Sequence, residues 1–419
     1  MKRTVAFGGI VAAGGLLAVS LTAPAQASSP DPKPDVASAN LAGDAVAAKN
    51  IVTFWYAENS ANLINATPYK VETKAVTTQV VSKGGPAASG KPGLVPAVGD
   101  EKKAGRSKNV NLPRSTGKVF FLGSDGQPHW CSATSVQARY RNLVATAGHC
   151  VYDTESNKAT LKNWVFVPGY YQGKTPWGIY VGKQAFTHYD YSVYEDGDRD
   201  YAFVTVYNGL KLPAGGFKDV EDLIHEHKWD QLKDYVKVKE VDKATYDAYV
   251  RGDSDHDGWG YWKGDDDQGH THYYVLRFHD IGRLGNNVGG QGLAYNQKLG
   301  RYVYVFGYPS GSHPDGNHAF TGKTLKWSYG KTFAARSKDL KAEQLVAVRS
   351  AFTGEGALGS AWVANYSNSR RLGYLNGVTI GVSDTDKNKR FDTSVSPYFD
   401  GETYQVYNAA KNRWSGSIA

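Results

Sequence analysis

The chain has 419 residues, a formal net charge of +8 and a pI near 9.0. Residues 1–117 hold 13 Lys and Arg against 7 Asp and Glu, which leaves a charge of only +2 on the remainder. The surplus therefore lies ahead of the part of the chain that is expected to fold. This distribution argues against nucleic acid as a partner.

The N-terminus has the three parts of a secretory signal peptide. A basic start at Lys2-Arg3 precedes an apolar stretch from Val5 to Leu21, and Ala25-Gln26-Ala27 supplies small residues for cleavage. A membrane anchor is the competing interpretation, but four glycines interrupt the apolar stretch. We therefore predict a signal peptide at 1–27, a secreted, extracellular protein and no membrane association after cleavage.

Residues 28–113 are rich in Ala, Pro, Ser, Gly and Lys, a composition that buries little apolar surface. We predict a propeptide and linker that is mostly disordered, with a flexible tether at 86–96. Within this region, residues 51–56 and the stretch that continues to Lys70 form an island that is predicted to be more structured.

Short β-rich runs begin near Ser115 and are separated by turn residues. The chain contains 47 glycines and shows little helical periodicity outside one insertion. Together these features predict an all-β barrel architecture from residue 114 to 419. The runs cover 117–121, 141–146, 164–167, 201–207, 273–276 and 302–306.

An insertion at about 209–282 interrupts the β pattern. Its first part, 220–249, is charged and has the best helical spacing of the chain, with four candidate buried positions at Leu223, Trp229, Leu232 and Tyr235. The insertion is therefore predicted to be a partly helical, acidic excursion from the barrel.

The second part of the insertion is a candidate calcium site. Asp253, Asp255 and Asp257 alternate before Gly258, and such carboxylates can converge on a hard cation. The twelfth position of a calcium loop is normally a glutamate, but here it is Gly264. A solvated acidic loop is therefore the alternative to calcium binding, and both stay open.

The segment 145–150, Ala-Thr-Ala-Gly-His-Cys, places His149 after a short apolar strand. A serine hydroxyl becomes a good nucleophile when an imidazole accepts its proton and a buried carboxylate orients that imidazole. Asp200 directly precedes the apolar run 201–204, so it is a better candidate for this carboxylate than Asp196 or Asp198. We predict a triad-like pair of His149 and Asp200.

Cys131 and Cys150 are the two cysteines of the chain. In an exported protein they are expected to form a disulfide, which would tie the histidine turn to the preceding strand. Closing a loop of this length contributes roughly 3 kcal/mol in the chain-entropy model. Two free buried thiols are the alternative.

From about Ser115 to Asn408 the chain resembles the secreted trypsin-like serine peptidases of actinobacteria, the glutamyl-endopeptidase-like branch of the chymotrypsin family. The resemblance implies a chymotrypsin-like double β-barrel with a cleft between the barrels, peptide-bond hydrolysis, an extracellular peptide or protein as partner and no required cofactor. We expect a monomer. The matching segments are 117–121, 131–133, 145–150, 200–202, 307–309, 376–378 and 396–399.

The chain departs from this family at the nucleophile. Aligning Gly356 and Trp362 with the family run Gly-x-Ser-Gly-Gly-Pro-Trp places Leu358 at the serine position and the Gly356 backbone in the oxyanion hole. Leucine cannot form an acyl-enzyme. Ser360, two residues further on, is the other candidate nucleophile, but the shift moves its hydroxyl by several Å.

Two functions are therefore considered from the sequence. The chain is either a secreted endopeptidase that is weak or inactive, or a non-catalytic pseudoprotease that binds extracellular peptides or polymers.

Overall fold

The structure is a computed structural model that describes residues 35–70, 77–80, 85–99, 110–153, 160–226, 228–251, 259–265 and 268–419. The predicted signal peptide (1–27) and the predicted calcium ligands Asp253, Asp255 and Asp257 lie outside these residues. The chain forms two compact units: one combines Asp35–Asp219 with Asp280–Ile418, and the other is Val220–His279.

Five elements precede the first barrel. The Asp44 side chain begins the helix by accepting the Ala47 N–H at 2.8 Å. The helix is interrupted at 57–60, where Glu58, Asn59 and Ser60 have positive φ angles. The elements are β1 (Val36–Asn40), α1 (Ala45–Asn65), β2 (Thr67–Pro68), β3 (Thr78–Gln79) and β4 (Gly93–Val95).

Six strands then form a closed antiparallel barrel. The elements are β5 (Thr116–Leu122), β6 (Pro128–Val136), β7 (Leu143–Thr146), β8 (Lys162–Pro168), β9 (Tyr180–His188), the short helix α2 (Tyr189–Tyr194) and β10 (Ala202–Val206). The strand order β9-β10-β7-β6-β5-β8 returns to β9 through the β8–β9 pairing. Alternation of side chains along β5 points Val119 and Phe121 into the core.

Two described parts of 28–113, β1 and the α1–β2 segment, pack on this barrel, although the sequence predicts that 28–113 is mostly disordered. β1 pairs with β9, and β2 pairs with β6. Trp55 of α1 is fully buried, its Nε1–H donates to the Asn163 carbonyl at 2.6 Å, and its ring lies 5.7 Å from that of Phe120. The large aromatic side chains of the 51–56 island supply buried apolar surface that the average composition of the region conceals.

The insertion forms a three-stranded antiparallel sheet with short helices. Its strand order is β11-β13-β12. The elements in this part of the chain are α3 (Phe217–His225), α4 (Trp229–Leu232), β11 (Val236–Val241), α5 (Lys243–Arg251), β12 (Gly260–Asp265) and β13 (Thr271–Phe278).

The sequence predicts helical structure over 220–249, but Val236–Val241 form the strand β11, so the prediction is wrong there. Valine and lysine alternate from Val236 to Lys239, which is the two-residue period of a strand. Of the four candidate buried positions, Leu232 is buried whereas Trp229 is exposed.

A two-stranded pair (Ser310–Gly311 with Phe320–Thr321) and two larger sheets complete the fold. The strand orders of the two larger sheets are β18-β15-β21-β22-β14-β4 and β23-β24-β20-β19-β3, so β3 and β4 of the N-terminal region join them. With the first barrel they form the double β-barrel that the sequence predicts, which is confirmed. The elements are α6 (Leu284–Val288), β14 (Gly292–Tyr295), β15 (Tyr302–Gly307), β16 (Ser310–Gly311), β17 (Phe320–Thr321), β18 (Lys326–Lys331), β19 (Phe333–Ser337), β20 (Ala342–Arg349), β21 (Ala361–Ser367), β22 (Leu372–Val378), β23 (Gly381–Ser383), β24 (Thr393–Pro397) and α7 (Gly401–Ala410).

Within the described residues, no helix combines the length and the apolar character that crossing a bilayer requires.

Replacing Trp55 with alanine should destabilise the protein by about 3–5 kcal/mol, because a fully buried indole and its hydrogen bond to the Asn163 carbonyl are both lost. Val46→Ala, at an exposed position of the same helix, is the matched control and should change the free energy of unfolding by less than about 0.5 kcal/mol. The measurement is equilibrium urea denaturation of the chain with residues 35–99 intact. Equal, small effects of both substitutions would contradict the packing of α1 on the barrel.

Candidate active site

Two neighbouring strands bring His149 and Asp200 together. β7 and β10 are antiparallel, with Thr146 opposite Ala202. The chain leaves β7 into a single 3-10 turn, Gly148–Cys150, and enters β10 from a second one, Gly197–Arg199. Both residues therefore lie just beyond the same end of this strand pair.

The side chains of His149 and Asp200 form a buried pair. One carboxylate oxygen of Asp200 lies 2.6 Å from His149 Nδ1, and the other accepts the His149 backbone N–H at 3.0 Å. The side chains are 0% and 3% exposed. With Nδ1 held by the carboxylate, Nε2 is the ring nitrogen that could accept a proton from a nucleophile.

The two neighbouring aspartates have other partners. Asp198 accepts the backbone N–H groups of Glu343 and Gln344 at 2.9 and 2.7 Å. Burial raises the pKa of Asp198, although these two hydrogen bonds counteract the shift. Asp196 accepts the Asp198 N–H and so caps the second 3-10 turn. Asp200 is the aspartate of this segment that contacts His149.

A disulfide joins Cys131 of β6 to Cys150, which confirms the predicted pairing. Both cysteines are fully buried. Because Cys150 follows His149 directly, the disulfide fixes the histidine turn to β6.

The turn that contains Leu358 passes beside β6. Ser132, the residue after Cys131, donates its N–H to the Leu358 carbonyl at 2.8 Å. A β-carbon at Gly359 would stand 2.0 Å from the Ser132 carbonyl, and the φ of Gly359 is +78°, so only glycine fits there. Leu358 is fully buried in the same apolar cluster as Cys131 and Cys150.

The backbone of this turn has two donors without acceptors. Ala357, Gly359 and Ser360 each donate the N–H to a backbone carbonyl. Within the described chain, the N–H groups of Gly356 and Leu358 donate to no acceptor. Gly356 is the position that the alignment places in an oxyanion hole.

Ser360 lies on another side of the turn. Its hydroxyl oxygen contacts Gly307, where an added β-carbon would be 1.8 Å from it. The side chain is fully buried, and its oxygen has no hydrogen-bond partner among the described residues, His149 included.

A buried lysine that the sequence analysis missed lies next to the turn. Lys118 of β5 is 3% exposed, and its Nζ lies 3.2 Å from the ring centre of Trp130 and 4.3 Å from that of Tyr170. Tyr308 and Phe120 complete the cage at 5.5 and 5.9 Å. The one signal in the sequence is a lysine inside an otherwise apolar strand.

The cage supports the Leu358 turn through Trp130. A β-carbon at Gly356 would stand 2.2 Å from the Trp130 ring and 2.6 Å from the Tyr308 carbonyl, so the indole lies directly on the Gly356 backbone. Burial lowers the pKa of Lys118 well below its usual value.

In the described part of the chain, no group of three or more His, Cys, Asp or Glu side chains could hold a metal ion. The candidate calcium loop lies outside this part, so calcium binding there stays a prediction.

No family model matches the sequence, and no curated protein matches it either.

Several solved structures are similar to this chain. The protease Anisep from Arthrobacter nicotinovorans is 21% identical, with 72% of this chain and 97% of that protein aligned at a TM-score of 0.46. A thermostable serine protease, AL20, from an extremophilic microorganism is 20% identical, with 71% and 97% aligned at 0.46. A Glu endopeptidase is 15% identical, with 74% and 98% aligned at 0.42.

Lys118→Met should stabilise the protein most at low pH. Unfolding returns Lys118 to its usual pKa, so between the lowered and the usual pKa the unfolded state binds more protons, and the wild-type free energy of unfolding rises with pH. Below the lowered pKa the folded wild type carries the full cost of a buried charge, partly offset by the aromatic rings.

The difference in the free energy of unfolding between Lys118→Met and wild type should therefore shrink as the pH rises from about 6 to about 10. Urea denaturation at each pH measures it. Lys326→Met, at an exposed position of β18, is the control and should leave the pH profile unchanged. Parallel profiles for wild type and Lys118→Met would show that Lys118 does not titrate abnormally.

Proposed function

We propose that this protein is a secreted pseudoprotease, a peptide-binding module with a chymotrypsin-like fold that does not hydrolyse peptide bonds. The observation that carries the proposal is the side chain at the nucleophile position. Leu358 lies two residues after Gly356, whose N–H is one of the two free backbone donors, and the Leu358 N–H is the other. The Leu358 carbonyl accepts the Ser132 N–H. The Leu358 side chain has no atom that could attack a carbonyl carbon.

Burial of the histidine also supports the absence of hydrolysis. The imidazole of His149 is fully buried, whereas a general base must reach the proton that it removes, directly or through one water. Ser360 does not replace the nucleophile, because its hydroxyl contacts Gly307 and has no hydrogen bond to His149. Loss of one member of a triad reduces catalysis by several orders of magnitude.

Peptide binding is supported by β23, the strand that begins just after a hydrogen-bond partner of the Leu358 turn. The Thr379 carbonyl accepts the Gly359 N–H at 2.7 Å, and β23 begins two residues later. Among the described strands, β23 pairs only with β24 and is the edge of its sheet. An extended peptide can add to such an edge through backbone hydrogen bonds. The three residues of β23 are buried and the Thr77 N–H donates to the Ser383 side chain, so an added peptide must displace the segment at Thr77.

A fluorophosphonate probe should not label the wild-type protein, because the residue aligned with the nucleophile is a leucine. The double substitution Leu358→Ser with Ser360→Gly should restore labelling, since it supplies a nucleophile between two backbone donors and a glycine after the turn. Mass spectrometry of the labelled peptide measures the outcome.

The matched control is Leu358→Ala with Ser360→Gly, which removes the same buried methyl groups without adding a hydroxyl. Both variants lose a few kcal/mol of stability from the cavity, so comparing them isolates the nucleophile. Labelling of the wild type that Ser360→Ala abolishes would overturn the proposal and identify Ser360 as the nucleophile.

Peptide addition to β23 should slow amide hydrogen exchange at Gly381–Ser383, because backbone hydrogen bonds protect the amides of a paired edge strand. The test uses the secreted protein with a mixture of random octapeptides at rising concentration. Protection should saturate at β23, while β18, the edge of the other sheet, serves as the internal control. Unchanged exchange at β23 in millimolar peptide, or equal protection at β18, would contradict the proposed binding mode.

A further inference from the structure

Four arginine side chains line one concavity of about 530 Å³. Among the residues that the structure describes, no aspartate or glutamate lines it. The polar lining consists mainly of Arg114, Arg141, Arg370 and Arg371, with Ser369 and Asn286 beside them.

Three separate loops carry these arginines, and backbone hydrogen bonds hold two of the loops in place. Arg141 lies in the β6–β7 turn, where its carbonyl accepts the Gly285 N–H at 2.7 Å. Arg370 and Arg371 lie in the β21–β22 turn, which is closed by the Arg371 N–H donating to the Ser367 carbonyl at 2.8 Å. Arg114 comes just before β5. Segments far apart in sequence therefore converge on one place.

The four guanidinium groups have no carboxylate partners. None of them forms an ion pair in the part of the chain that the structure describes. Arg114 lies over the ring of Trp177 at 5.0 Å, and Arg141 donates to the Asn286 side chain at 2.7 Å. Elsewhere Arg349 and Arg390 pair with Asp392 and Asp315. Like charges around one cavity repel each other, and an anion placed between them would remove that repulsion.

The chemistry of the lining selects the kind of anion. A guanidinium presents a planar fork of donors that matches two oxygens of a phosphate or sulfate group. Four such forks exceed what one tetrahedral group can accept, and the cavity volume lies within the range of small-molecule sites. We propose that this arginine pocket binds a small ligand that carries two or more phosphate or sulfate groups.

The arginine pocket is separate from the candidate active site. Arg141 lies two residues before the start of β7, whereas His149 lies three residues after its end. The strand alone spans roughly 13 Å at about 3.3 Å per residue. A ligand in the pocket would therefore not contact His149, and the proposal does not depend on whether the protein hydrolyses peptides.

Isothermal titration calorimetry of the secreted protein tests the proposal with inorganic pyrophosphate and with a disulfated disaccharide as probes. One of the two should bind saturably, and affinity should fall as salt is raised, since charged contacts are screened. The probe that binds more tightly identifies phosphate or sulfate as the natural group. Absence of saturable binding of both probes at millimolar concentration overturns the proposal.

Arg370→Gln with Arg371→Gln should weaken binding of the tighter probe by at least about tenfold, because charge-assisted hydrogen bonds are lost. Arg336→Gln with Lys338→Gln removes the same two charges from exposed positions outside the pocket and should leave the affinity within about twofold. Thermal melts establish that both variants are folded. Equal weakening by the two variants would show diffuse attraction to a basic surface and overturn the proposal.

Discussion

Three hydrogen bonds of Ser132 join the two β-barrels at the candidate active site, and a fourth lies within the first barrel. Its N–H donates to the Leu358 carbonyl, its hydroxyl donates to the Gly356 carbonyl at 2.8 Å and accepts the Tyr308 N–H at 2.9 Å, and its carbonyl accepts the Thr146 hydroxyl at 2.8 Å. All of these groups are buried, so each would cost about 1–3 kcal/mol if left unpaired. Because Ser132 is bonded to Cys131, the same residue couples the Leu358 turn to the disulfide and to His149.

The pairing of His149 with Asp200 has a structural cause that is independent of catalysis. Asp200 satisfies both the backbone N–H and the imidazole of His149, and neither side chain reaches water. Removing one member of a buried pair leaves an uncompensated polar group or charge, at a cost of several kcal/mol. Both residues therefore contribute to folding, whatever residue stands at position 358. The pair alone is therefore not evidence of hydrolysis.

Local sequence patterns predict much of the site but little of what surrounds it. The strand-ending motif at His149 and the aspartate directly before an apolar strand identify a pair whose side chains lie 2.6 Å apart. The disulfide follows from the cysteine count. The Lys118 cage could not be predicted in the same way, because Trp130, Tyr170 and Tyr308 come from three separate strands and loops. The docking of α1 depends likewise on Asn163 and Phe120, which lie far from Trp55 in sequence.

The net charge does not predict the arginine pocket, because it carries no information about which residues folding brings together. The surplus of +2 beyond residue 117 indicates a nearly neutral body, and that sum is unaffected by where the charges lie. Folding brings Arg141 and the Arg370–Arg371 turn to one cavity that no described carboxylate lines, while acidic residues pair with arginines elsewhere. Local potential depends on this arrangement, since charges more than a Debye length of about 10 Å apart are largely screened. The two ends of β7 can thus carry different binding chemistry on a protein whose folded body is close to neutral.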